Sequence, residues 1–472
     1  MNCKNLLAFN RMDGVKGQQE PAILSTKLQE RFNKLRNSKE FKKLSKDFTG
    51  ALLQKVLGAA SSFALAVLIA RYLGAEQAGV YYTALPIAMF CAFIGRTGFD
   101  QIIMRETVSA LGENGSAERF KQFGSKILAI VGTATFLVCI AAYASAPFTA
   151  QYFNQPQLEW IIPLFIAAIV AMIVFNLAAQ ISRGANHISR SSFILFAGSP
   201  ISCLMIIGGF LLLGKHNPFS PITVVVLSFS LAAIITALLS IKWAQAVLSQ
   251  IKLHCSTKPT VFFKSSTLLY SAFSFVVYGL GLQGANWVAS LVLAKFHEAG
   301  QVAIFNSAVR VSTAVSFILM AVVVATGPRF VKLYREGQYD KFKKLYHRAI
   351  ALTMAIATPI VLGCWVYDDV IMGTFGSEFV KGGPVLIILT IGQFFSAVVG
   401  PQAQILIAID REHILKNITI MNFVIGTLLH LTLVPRYAAV GSAIATSTTV
   451  ILNNLITAII VARFWGGLKK GA

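Results

Sequence analysis

The stretch "ARYLGAEQAGVYYTA", Ala70 to Ala84, returns 224 residues later as "AKFHEAGQVAIFNSA", Ala294 to Ala308. Ala70/Ala294, Ala75/Ala299, Gln77/Gln301 and Ala84/Ala308 are identical; Arg71/Lys295, Tyr72/Phe296, Val80/Ile304, Tyr81/Phe305 and Thr83/Ser307 are conservative exchanges. A second match keeps the shift: "AQI" at Ala179–Ile181 recurs at Ala403–Ile405, and "HISR" from His187 meets "HILK" from His413 after a slip of two. Two matches in the same order point to a duplicated chain, each copy forming half of the fold.

Composition says what each copy is. Of 472 residues, 56% are hydrophobic and 13% charged, more apolar surface than a soluble chain of this length buries, so the class is polytopic membrane protein. Apolar runs of about 20 residues fall at roughly 49–70, 79–104, 124–147, 159–182, 192–214, 221–243, 266–293, 301–327, 348–367, 384–408, 417–434 and 440–463. Pro86 and Pro401 lie within two of these runs as expected kinks, tolerated where neighbours satisfy the freed carbonyls. The expected fold is all-α, with twelve transmembrane helices in two six-helix lobes. Six is even, so both lobes keep one orientation and are related by a parallel pseudo-two-fold repeat, the plan of carriers that rock two bundles about a central path. The expected divisions are a basic tail (1–47), an N-lobe (48–247), a linker (248–264), a C-lobe (265–465) and a C-terminal segment (466–472).

Lys and Arg test this parse. With the N-terminus in the cytoplasm, the inner segments hold 33 of the 41, the outer loops hold five (Arg71, Lys215, Lys295, Lys381, Arg436), and Lys55, Arg96 and Arg310 lie inside spans. That alternating asymmetry is the positive-inside pattern and puts both termini in the cytoplasm. It also accounts for the net charge of +22; anionic lipid headgroups suffice as the partner, and no recognition motif points to nucleic acid. The six cysteines show no C-x-x-C spacing and read as buried small hydrophobes. The first 47 residues lack a signal-peptide pattern; "LQERFNKLRNSKEFKKLSKDF" (Leu28–Phe48) is basic and loosely amphipathic, suited to lie along the inner membrane surface or to stay disordered.

"LIARYLGAEQAGVYYTALPIA" followed by "GRTGFDQIIMRE" resembles the opening of the polysaccharide-type branch of the multidrug/oligosaccharidyl-lipid/polysaccharide exporter superfamily, closest in pattern to O-antigen-type lipid-linked oligosaccharide flippases. The resemblance is clearest over 50–110, and the twelve runs extend it across about 48–465. It implies movement of an undecaprenyl-pyrophosphate-linked sugar unit from the inner to the outer leaflet of a bacterial inner membrane, through a cationic cavity between lobes. It implies a monomeric carrier with no cofactor, a polysaccharide polymerase and a chain-length regulator as partners, and an O-antigen, lipopolysaccharide or related pathway.

A bare pyrophosphate entering hydrocarbon costs on the order of tens of kcal/mol, so such a carrier needs a wet, positive groove. Arg96, Arg310 and Lys55 are the candidate ligands of the anionic head group: arginine through its planar fork, lysine as a point charge. Each also has a plainer reading. Arg96 has Asp100 four residues on, an intrahelical pair, and Lys55 can snorkel to headgroups. Arg310 has no acid near it in sequence. Gln283, Asn286 and Trp287 share a face at i, i+3 and i+4, able to contact sugar or to bond neighbouring helices. Asn176, Gln180, Gln393, Gln404, Asn453 and Asn454 are weaker candidates of the same kind.

Rival classes fare worse. The 19 acidic residues fall in tails, loops or run ends, with Asp100 the deepest; an ion-coupled multidrug exporter wants a carboxylate in the membrane. A membrane glycosyltransferase or polymerase wants a large, acid- or base-rich outer loop, and the outer loops here are short. "GLGLQG" (Gly279–Gly284) fits G-x-G-x-x-G but has no strand before it and reads as close helix packing or a hinge. "YDDV" (Tyr367–Val370) reads as a solvated helix end.

Overall fold

The computed structural model describes residues 39–112, 117–212, 219–254, 265–409 and 412–468. Most of the basic tail, the linker beyond His254, the last four residues, Cys3 and Cys255 lie outside the described residues. The chain forms two compact units, Met1–Gly50 and Ala51–Ala472. In the first, residues 39–50 are helical. The second carries the membrane helices.

All regular structure among the described residues is helical. The helices are α1 (Lys39–Gly95), α2 (Asp100–Leu111), α3 (Ala117–Tyr152), α4 (Leu158–Leu164), α5 (Ile166–Gly184), α6 (Ile188–Ser192), α7 (Ser199–Leu212), α8 (Pro221–His254), α9 (Ser265–Phe296), α10 (Ala299–Arg335), α11 (Tyr339–Val366), α12 (Asp368–Gly373), α13 (Gly383–Val399), α14 (Gln402–Ala408) and α15 (Glu412–Leu468). A π-turn, Phe193–Gly198, joins α6 to α7. Among the described residues nine helical segments are long and apolar enough to cross a membrane.

Two of those segments, Gly50–Gly95 and Ile414–Arg463, have 46 and 50 residues. A straight helix of that length would run about 70 Å against about 30 Å of hydrocarbon, so each must break. The first does so at Gly74 (φ 72, ψ 176), a backbone glycine adopts without penalty. The second does so at Ala438 (φ 49, ψ −132), three residues after Pro435.

The expected span over 79–104 is corrected. The helix stops at Gly95, a turn through Thr97 (φ 50) and Gly98 (φ 75) follows, and α2 restarts at Asp100. Gly98 is held there by packing as well as by φ, since a Cβ would lie 2.2 Å from the Ala272 carbonyl. The 384–408 run is likewise split, by Gly400 (φ 81) and Pro401. Pro86, by contrast, sits inside unbroken helix.

Packing divides along the chain. α5 and α7 pack on α8, and α2 on α5, within residues 100–254; α9 and α13 pack on α15, α10 on α11 and α13, within 265–468. The two sets meet along residues 75–95 of α1, where Phe93 lies over Gly279, and at Gly79, which abuts Ala299. Gly281 and Gly284 face Thr419 and Phe423 of α15, so "GLGLQG" is a close-packing stripe. The bundle is apolar outside as well as inside: Leu128, Phe136, Ile140, Tyr143 and Phe148 of α3 are exposed, as suits a lipid-facing helix.

Candidate functional site

A cavity of about 260 Å³ opens between α1, α5, α7, α8 and α10. Ser62, Leu65, Ala66 and Ile69 line it before the α1 break, and Tyr81, Tyr82, Leu85 and Met89 after it; Met172, Phe175, Phe229, Leu195, Phe196, Ser199 and Pro200 complete the first-half walls. Among the described residues the second half supplies one side chain, Arg310 of α10.

Local sequence explains the opening. Ser61, Ser62, Ala64 and Ala66 in "SSFALA" keep α1 slim. Gly58 lets it approach the π-turn so closely that a Cβ there would lie 2.4 Å from the Phe196 carbonyl. The π-turn's extra residue turns Leu195 and Phe196 into the cavity, a use common for such insertions. On the other wall Tyr81 and Tyr82 pack edge to face, centroids 5.3 Å apart, and the buried Tyr82 hydroxyl has no hydrogen-bond partner among the described residues.

Arg310 is exposed. The ion pairs among the described residues are Arg96–Asp100, Arg119–Glu106 and Lys332–Glu336; none involves Arg310. Among the described residues no carboxylate lines the cavity. A guanidinium with five donors thus faces a hollow walled by phenols, hydroxyls and hydrocarbon, arranged to receive an anion with charge-assisted, bidentate geometry.

The other sequence candidates have different surroundings. Arg96 sits in the turn after Gly95, its Nη1 3.0 Å from Asp100 Oδ2, its Nε bonded to the Ala92 carbonyl and its guanidinium 5.4 Å from the Phe93 ring centre. Both members of that pair are largely buried, at 12% and 20% side-chain exposure, and breaking such a pair strands the survivor. Arg96→Gln and Asp100→Asn are therefore expected to lower detergent melting temperature by similar amounts, and the double variant by no more than either alone. A double-mutant cycle of thermal melts checks this.

Lys55 lies with its ammonium 5.2 Å from the Phe196 ring centre. That ring lines the cavity, so Lys55 sits one aromatic ring behind its wall. Trp287 is buried against Phe90 and Phe93, centroids 6.0 and 5.7 Å away, whereas Gln283 and Asn286 on the same helix are exposed. None of the three lines the cavity. Trp287→Ala should cost about 3–5 kcal/mol of stability, read as a fall in melting temperature. Asn176 and Asn454 bond carbonyls of their own helices, and Gln393 accepts from Ser316.

Sequence reasoning missed Tyr81, Tyr82 and Phe196. The one signal available was the phenol pair inside "GVYYTA", two hydroxyls in the middle of an apolar run.

A family model described as polysaccharide biosynthesis protein matches residues 44–334. The chain is 23% identical over 420 residues to the probable low-salt glycan biosynthesis flippase Agl15 of Haloferax volcanii, covering 87% of this chain and 82% of that protein. It is 22% identical over 193 residues to the probable flippase AglR of the same organism, covering 39% and 40%. Of solved structures, the lipid II flippase MurJ in an inward closed conformation superposes with a TM-score of 0.68 at 16% identity over 88% of this chain and 87% of that one. An inward-facing MATE multidrug transporter of the MOP superfamily gives 0.60 at 13% identity over 89% and 99%. At these identities the superpositions carry the fold, and the family match spans more than half of the sequence. The chain belongs to the polysaccharide biosynthesis protein family and has the fold of the MOP-superfamily transporters.

Proposed function

We propose that this protein is a flippase that moves an undecaprenyl-pyrophosphate-linked oligosaccharide from the inner to the outer leaflet of a bacterial inner membrane. It does so by alternating access through the Arg310 cavity, for assembly of O-antigen or a related surface polysaccharide. The observation that carries this reading is a guanidinium that joins no ion pair among the described residues, at a cavity that none of their carboxylates lines. A cation exporter needs the opposite charge there. The relatives named as flippases support the transport class.

In this reading the bundle has twelve spans in two six-helix lobes, with both termini cytoplasmic. Two helix starts support the repeat: shifted by 224, positions 75 and 158 fall at 299 and 382, beside the observed starts Ala299 and Gly383. Arg310 takes the pyrophosphate, the phenols of Tyr81 and Tyr82 donate to its oxygens, and the polyprenyl tail stays in lipid. Arg96 is a structural ion pair. Lys55 draws the anion toward the wall, and Gln283 and Asn286 meet sugar. The carrier is monomeric and hands its cargo to a polymerase with its chain-length regulator. An inside-negative potential favours outward movement of the anion by about 2.3 kcal/mol per charge per 100 mV.

The test uses a strain lacking the protein. Lipid-linked sugar is expected to accumulate on the cytoplasmic leaflet and to clear when the gene is restored, with efflux of fluorescent cations unchanged. Lost cation efflux with normal surface polysaccharide would overturn the reading.

A further inference from the structure

The end of the bundle poor in Lys and Arg is tied across the two halves by contacts the cavity does not require. Arg71 Nε donates to the Thr374 carbonyl at 2.7 Å. Lys295 Nζ donates to the Tyr152 carbonyl, also at 2.7 Å, and stands 4.0 Å from the centre of the Tyr152 ring. Arg71 and Lys295 are 224 residues apart, and Tyr152 and Thr374 are 222 apart. The two bonds are one contact made twice. In each, a cation near the end of one half's first arm holds backbone of the other half: Tyr152, the last residue of α3, in one case, and Thr374, just past α11 and α12, in the other. Beside them the Ala75 amide, at the start of the second arm of α1, donates to Glu378 Oε2 at 2.7 Å. A carboxylate from the second half thereby caps a helix of the first, where unsatisfied N–H groups and the helix dipole favour negative charge.

We propose that this pair of cation–carbonyl bonds, with the Glu378 cap, is a release latch that holds the Lys- and Arg-poor end shut over the Arg310 cavity and breaks when the halves part. The inference rests on the transport reading above. Position supports it: Arg71 is two residues beyond cavity-lining Ile69, and Ala75 is six before Tyr81, so the latched turn roofs the cavity. Strength supports it as well. Arg71, Glu378 and Tyr152 are exposed, and bonds of this kind at a wetted rim are individually weak. Three together bias an equilibrium and still yield to cargo. The partners of both cations are carbonyls, so no side-chain substitution at Thr374 removes the first bond.

The experiment reads access rather than export. Ser62→Cys is placed in a chain whose six native cysteines are replaced by alanine, and intact cells are treated with a membrane-impermeant maleimide. Arg71→Ala and Lys295→Ala should each raise the labelling rate about threefold, and the double variant tenfold or more, while Lys295→Arg labels at the parent rate. Glu378→Gln, which keeps the shape of the cap and removes its charge, should raise labelling and provides the reading if the double variant fails to accumulate. Labelling at the parent rate in the double variant or in Glu378→Gln, with normal membrane levels, overturns the latch. Because the label needs no substrate, increased labelling together with normal export by Arg310→Ala would uphold the latch and remove the cargo assignment.

Discussion

Replacing Arg310 with alanine is expected to reduce surface-glycan export by about two to four orders of magnitude while the protein stays in the membrane at its normal level. A bidentate guanidinium–phosphate contact supplies two charge-assisted hydrogen bonds of about 1.5–3 kcal/mol each, and each 1.4 kcal/mol is a factor of ten. Lysine keeps the charge and loses the fork, so Arg310→Lys should retain partial export. Stability should move the other way. Arg310 is in none of the ion pairs among the described residues, and an arginine in a membrane helix costs about 2.5–3.5 kcal/mol to insert. Removing it should leave the melting temperature level or raised. An activity lost as stability holds is the signature of a binding residue, whereas Arg96→Ala should lose both together. Normal export by Arg310→Ala would remove the cationic-cavity mechanism and leave the family assignment standing.

What was legible in the sequence follows from what hydrophobicity and charge encode. The paired stretches Ala70–Ala84 and Ala294–Ala308 announce a break in the helix, and each carries one, at Gly74 and between Phe296 and Ala299. The Arg96–Asp100 pair was legible: an acid four residues away forecast the contact found at 3.0 Å, while Arg96 and Arg310 both read as head-group ligands. The break after Gly95 was harder, because a hydropathy window passes over one turn; "RTGF" carried the clue, a glycine at a helix end. Tyr81 and Tyr82 stayed hidden because wall membership depends on which face the second half leaves uncovered. The latch could not be read at all. Arg71 and Lys295 align as conservative partners, but their acceptors are carbonyls of Thr374 and Tyr152, and a backbone acceptor leaves no mark in the side-chain pattern.

A large structural effect is expected of Gly79→Leu, where α1 and α10 touch. A Cβ built there would lie 1.7 Å from the Ala299 carbonyl oxygen, 2.2 Å from its carbon and 2.9 Å from its Cα. The obstacle is backbone, and backbone at the start of a helix does not swing aside as a side-chain tip does. Even Gly79→Ala therefore forces the helices apart, an overpacking cost of about 1–3 kcal/mol; Gly79→Leu exceeds it. The aligned stretch Ala294–Ala308 offers a control. Position 79 plus 224 is Ala303, fully buried and already carrying a Cβ, so Ala303→Gly should cost only about 0.5–1 kcal/mol of helix propensity. Because the clash lies between the halves rather than inside one, Gly79→Leu should part them at the latched end before either half unfolds. External maleimide labelling at Ser62→Cys should rise as it does when Arg71 and Lys295 are removed together, with a large fall in melting temperature that Ala303→Gly does not share. A Gly79→Leu protein that melts, labels and exports like its parent would mean that α1 and α10 do not meet in the membrane, and that Arg310 is carried to its cavity by some other crossing of the halves.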